Sequence, residues 1–128
     1  MVSAETTPGD GPAHATGRAD QAIQRLEKRL ADSQLVLGTD HPDALRSGNN
    51  LGSAYQAAGH TSEAVLLLER TLADFERVLG TDHPWTLSSR NNLAVSYRTA
   101  GRAPEAIPLH EQNLADRERV LGTDTPTP

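Results

Sequence analysis

Cysteine is missing from this chain altogether, and among its 128 residues only Tyr55, Phe75, Trp85 and Tyr97 are aromatic. Without thiols there is neither a disulfide framework nor thiolate chemistry, a composition that suits a reducing cytoplasm, and a cytoplasmic location is expected. With so few rings, a core must be built from Leu, Ala, Val and Ile. An excess of positive charge is lacking too: 12 Lys and Arg face 17 Asp and Glu, for a formal net charge of -5. Nucleic acid draws basic surfaces, so it is not an expected partner. No apolar run reaches the ~18 residues that a membrane-spanning helix requires. Residues 1–17 have neither a basic start nor an apolar centre, so no secretory leader is read there.

Catalytic signatures are also missing. No Gly-x-x-x-x-Gly-Lys-Ser/Thr loop exists to cradle phosphate, and no Gly-x-Ser-x-Gly elbow to present a nucleophile. The histidines (His14, His41, His60, His83 and His110) show no His-x-x-x-His spacing that would seat zinc on a helix. A non-enzymatic protein without metal or cofactor is expected.

What the chain does have is a repeat. Leu37-Gly38-Thr39-Asp40-His41-Pro42 recurs letter for letter as Leu79-Gly80-Thr81-Asp82-His83-Pro84, 42 residues later, and in degraded form as Leu121-Gly122-Thr123-Asp124-Thr125-Pro126. Residues 38–79 match residues 80–121 at 24 of 42 positions. A fixed period of this length implies stacked supersecondary units.

Within each unit the apolar pattern is helical. Leu45, Leu51, Tyr55 and Ala58 recur as Leu87, Leu93, Tyr97 and Ala100, and their spacing places them on one stripe of a helix, here helix A. Asp-His-Pro supplies its start, a polar cap followed by proline in the first turn. Gly59 and Gly101 supply its stop. Helix B follows, with Ala64, Val65, Leu67, Leu68, Leu72, Phe75, Val78 and Leu79 forming an apolar surface wide enough for two neighbours. A lone B helix from about Ala19 to Leu37 precedes the first unit, and another runs from about Glu105 to Leu121. The expected fold is all-α, five helices in the order B-A-B-A-B. The organisation is a disordered tail over 1–18, a repeat domain over 19–121 (half repeat 19–37, repeats 38–79 and 80–121) and a tail over 122–128. Pro108, where the preceding unit has Leu66, predicts a last helix that begins late or bends near its entry.

Leu51-Gly52-x-x-Tyr55 and Leu93-Ala94-x-x-Tyr97 resemble the Leu-Gly-x-x-Tyr segment of the tetratricopeptide repeat, with Ala64 and Ala106 at its small-residue crossing. The fuller string is Asn-Asn-Leu-Gly/Ala-x-x-Tyr, then Gly-x-x-x-Glu-Ala, then Leu-Gly-x-Asp-His-Pro. It is similar to the kinesin light chain type of that repeat, over about residues 17–126. The resemblance implies a helical solenoid whose A helices line a groove for protein or peptide partners. One departure stands out: the position before the Asn pair, usually bulky and apolar, is Gly48 and then Arg90, which predicts looser contacts there.

Facing away from helix B are Arg46, Asn49, Asn50, Ser53 and Gln56, then Ser88, Asn91, Asn92, Val95 and Arg98. A carboxamide holds a peptide unit by both its C=O and its N–H, so two of them one repeat apart could clamp an extended backbone. In the resembled family, Asn at the positions of Asn50 and Asn92 holds bound peptide; the alternative is that the Asn pairs set the stacking distance. Arg46 and Arg98, with Arg90 near the rim, would complement an acidic or carboxylate-ended partner. His41 and His83 are expected to cap helices. Trp85, in the place of Asp43, is expected against the preceding B helix, or else as an anchor at the groove edge. The end helices lack outer neighbours, so assembly through their uncovered faces, with weak self-association, is the alternative role.

Overall fold

A computed structural model describes residues 11–120, which form five α-helices: α1 (Gly11–Leu37), α2 (Pro42–Ala57), α3 (Thr61–Leu79), α4 (Pro84–Thr99) and α5 (Ala103–Val120). No strand occurs among the described residues. The sequence therefore folds in the anticipated order, with α2 and α4 as A helices and α1, α3 and α5 as B helices.

The punctuation works as its chemistry requires. His41 Nδ1 accepts the amide of Asp43 at 3.1 Å, and His83 Nδ1 that of Trp85 at 3.0 Å, with Pro42 and Pro84 in the first turn. The histidines are helix caps, which satisfy amides that have no partner within the helix. At the other end Gly59 adopts φ +85, a left-handed backbone open mainly to glycine. It lets the amides of Gly59 and His60 return to the carbonyls of Gln56 and Tyr55, closing the helix. Gly101 repeats the device with φ +78.

The helices form two layers. Each packs on the next in sequence, and α2 also packs on α4, whereas no Cα of α1, α3 or α5 comes within 8 Å of another of those three. Ala64 and Ala106 are fully buried at the crossings. The crossing of α2 with α3 is so close that a Cβ on Gly52 would stand 2.4 Å from Leu68 Cδ2. Its counterpart Ala94 is fully buried, with His110 standing where the first unit has Leu68. Val65, Leu68, Leu72, Leu93, Ala94, Tyr97 and Ala106 make one buried cluster, with Leu109 against it. Tyr55 donates to Glu27 at 2.6 Å, and Tyr97 to Glu69 one repeat later. Burial and then the carboxylate bond push both phenols up to about 12.

Three expectations change. Helix α1 begins at Gly11, so residues 11–18 are helical rather than part of a disordered tail. Pro12 is tolerated in a first turn, and Ala13 and Ala15 have high helix propensity; residues 1–10 and the tail over 122–128 lie outside the described residues. Of the two outcomes expected at Pro108, the late start does not occur: α5 begins at Ala103 with Pro108 inside it. Pro108 forfeits one backbone bond to the carbonyl of Pro104, but it points outward, as the 68% exposed Leu66 does in the preceding unit.

The third change concerns Arg90, which is not at the rim but 1% exposed. Its Nη1 donates to Asn113 Oδ1 and Asp116 Oδ2, each at 2.8 Å, and its Nη2 to Glu76 Oε2 at 3.3 Å and the Thr81 carbonyl at 3.4 Å. A charge can be buried at that depth only when its donors are met. Contacts at this position are therefore tighter than expected, and Gly48 is buried too, with Thr71 against it. Burial raises the Asp116 carboxyl, but bonds from Arg119, Gln112 and Arg90 outweigh it and hold the group below its ordinary 3.8. This stabilisation is complete above that ordinary value and is lost as pH falls through the lower folded one.

Replacing Arg90 with Ala should cost about 2–4 kcal/mol, because Asn113 and Asp116 lose a buried donor while Asp116 keeps only Arg119 and Gln112. Urea unfolding at neutral pH measures this. The deficit should shrink as the buffer is taken below the folded-state value of Asp116, where wild type loses the same interaction.

Candidate functional site

The ten residues expected to face a partner all retain some exposure on α2 and α4. Arg46, Asn50, Ser88, Asn91 and Arg98 are exposed, and Asn49, Ser53, Gln56, Asn92 and Val95 are half-buried. The structure brings part of this set together. Arg46, Asn49, Asn50 and Ser88 line a cleft of about 190 Å³ between α2 and α4, with Phe75 and Trp85 completing its wall.

The Asn pairs separate by their hydrogen bonds. Asn92 Nδ2 donates to Asn49 Oδ1 and to Ser53 Oγ, both at 3.1 Å. Its two N–H donors are thus directed back across the α2–α4 contact, where they fix the spacing of successive A helices. Asn50 and Asn91 are exposed and make no hydrogen bond from the side chain to another described residue. Asn50 opens on the cleft and keeps both halves of its amide available.

The cleft has an aromatic shelf. The Arg46 guanidinium carbon lies 4.5 Å from the centroid of the Trp85 ring, a cation–π arrangement that leaves the guanidinium edge able to form hydrogen bonds. Trp85 also meets His83 edge to face, with centroids 5.3 Å apart. Asp43 lies 4.0 Å from Arg46, an exposed pair of little energetic weight. Trp85 is half-buried and lines the same cleft as Phe75 of α3, so it combines the two placements expected of it: it lies beside a B helix and at the groove edge.

Arg98 is not part of the cleft. It sits in the last turn of α4, ten positions on from the repeat equivalent of Arg46, about 15 Å away along the axis at 1.5 Å per residue. Gln56 and Val95 likewise lie outside the cleft lining. Phe75 was assigned to the core alone; its replacement by Arg117 in the next unit is the signal that this position meets something particular to the first cleft. No group of three His, Asp or Glu among the described residues is placed to hold a metal ion.

Paired helices stacked in two layers, with amides on the exposed A-helix face, define a helical repeat protein of the solenoid class. Tetratricopeptide repeat models match residues 13–77 and 86–127, and the chain belongs to the tetratricopeptide repeat family, in its kinesin light chain-like form. One solved structure similar to it holds the nearly identical TPR-like repeats of a Podosopora anserina protein described as a kinesin light chain. That match has 36% identity, a TM-score of 0.78, and covers 88% of this chain and 53% of the other. A variant of the same protein matches at 35% identity with the same TM-score and coverage. The chain thus spans about half the length of these relatives. No protein of curated function matches it by sequence. Tetratricopeptide repeats generally mediate protein–protein interaction, and the fold is typically non-enzymatic. Among the described residues, no helix is long and apolar enough to cross a membrane.

The division between the Asn residues can be measured. Asn92→Ala should cost about 1–2 kcal/mol, since two acceptors lose their donor, whereas Asn50→Ala should stay within about 0.5 kcal/mol of wild type. Equal urea midpoints for the two variants would contradict the structural role of Asn92.

Proposed function

We propose that this chain is a non-enzymatic interaction module that receives an extended, acidic peptide segment along the α2–α4 face. The observation that carries this reading is the cleft in which the unpaired amide of Asn50 stands beside an arginine stacked on tryptophan. A peptide unit placed there meets the donor and acceptor of Asn50. A carboxylate one or two residues away meets the fork of Arg46, pre-oriented by the ring beneath it. Asn91 on α4 offers a second amide farther along the same face. The clamp differs from one built on Asn50 and Asn92, because Asn92 has spent its donors on Asn49 and Ser53. Its oxygen alone is left for a ligand, and Asn49 shares that engagement.

A second reading rests on the ends. Ile107 and Leu114 of α5 are 55% and 59% exposed, while their equivalents one repeat earlier, Val65 and Leu72, are buried under α4. An assembly role through this face predicts association that Leu114→Glu removes.

Trp85 is the only tryptophan, so its fluorescence reports on the cleft directly. Titration with an acetylated hexapeptide of alternating Asp and Ala should give a saturable change, and its Lys counterpart should give none. Asn50→Ala combined with Arg46→Ala should weaken binding by about tenfold or more with helical content unchanged by circular dichroism. Undiminished binding in the double variant would remove the assignment of the cleft.

A further inference from the structure

The two repeats differ in both charge and volume where one carries Arg90 and the other Gly48. In the second unit the Arg90 side chain fills the junction of α3, α4 and α5, meeting Asp116, Asn113, Glu76 and the Thr81 carbonyl. One period earlier these positions are Asp74, Thr71, Gln34 and Thr39. All four, with Gly48, line a cleft of about 470 Å³ between α1, α2 and α3. The chain thus contains one copy of a site with its guanidinium built in and one copy without it.

We propose that the cleft at Gly48 binds a guanidinium group on an apolar stem, taking it in the position that the Arg90 side chain occupies one repeat later. The acceptors are in place. Asp74 Oδ1 accepts from Arg77 at 3.0 Å, as Asp116 Oδ1 accepts from Arg119. In the second unit the remaining oxygen, Oδ2, takes Arg90; in the first, no described residue donates to it. Thr71 Oγ1 stands 2.9 Å from where a Cβ on Gly48 would lie, so it bounds the cleft on the Gly48 side. The Thr39 carbonyl and the Gln34 amide supply further acceptors, and Leu30, Leu45 and Leu67 provide surface for methylenes.

Two exchanges tune the site. Neutral Gln34 stands where Glu76 does, and Arg70 stands in place of Gln112. Both make the pocket less negative than its occupied copy; Asp40 also lines it but has both oxygens engaged by Arg77, so Asp74 carries the recognition of charge. Arg70 disfavours further positive charge near the guanidinium. The cleft shares no residue with the one around Trp85, so it is independent of the peptide-binding reading.

Two sources offer this chemistry, a small free guanidinium compound and an arginine side chain of a partner. Titrations followed by amide NMR shifts should use ethylguanidinium for the first and acetyl-Ala-Arg-Ala-amide for the second, with ethylammonium and urea as controls. Saturable shifts confined to Gly48, Thr71, Asp74 and their neighbours are expected with one or both guanidinium probes, and the probe that saturates at lower concentration identifies the source. Asp74→Asn should weaken binding about tenfold or more, and Arg70→Gln should strengthen it. Gly48→Arg with Thr71→Asn, which copies the second unit, should abolish binding by filling the cleft from within. If that double variant fails to fold, Asp74→Asn and Arg70→Gln decide. No saturation with either probe, equal saturation with ethylammonium, or affinity unchanged in Asp74→Asn overturns the proposal.

Discussion

Two helices come close only where one of them presents a small residue at the crossing, and everything else in this fold follows from that constraint. Ala64 and Ala106 meet it on the B helices, Gly52 and Ala94 on the A helices. Close approach lets Leu, Val and a few rings form a continuous core despite the scarcity of aromatics. It also fixes the angle at which each pair presents its outer face, and with it the place where amides and charges reach solvent.

Polar groups then settle the distances that apolar packing leaves adjustable. Asn92 ties the A layer together through Asn49 and Ser53, while Arg90 bridges α3 to α5 across a gap that no backbone contact closes. Exposed pairs recur without such a role: Arg77 with Asp40 and Arg119 with Asp82 fasten B helices to the turn preceding each A helix. Screened by water, they define register more than they add stability.

Most of this architecture was legible because a repeat states its rules twice. Caps, stops, helix order and the small crossing residues all recur at one spacing. What stayed hidden lay where the copies differ, since a single substitution does not reveal its new partners. Arg90 looked like a rim charge because arginine is usually solvated; its burial depends on Asn113 and Asp116, which are distant in sequence and were unremarkable alone. Asn50 and Asn92 looked equivalent because they are equivalent by position. They differ because Asn92 faces a preceding A helix, α2, to which it donates, whereas among the described residues no A helix precedes Asn50. Phe75 was read as core since its second role required Trp85 to lie across from it. The early start of α1 was obscured by glycine and proline that suit a first turn as well as a tail.

The arginine at the second junction also has a mechanical consequence. The outer helices do not touch, so any change in curvature must open or close the gaps between them. One gap is braced by a buried strut that holds both sides, and the other has none. Bending on docking, or under load, will therefore gather between α1 and α3, which makes the first junction the compliant joint and the second a stiff one.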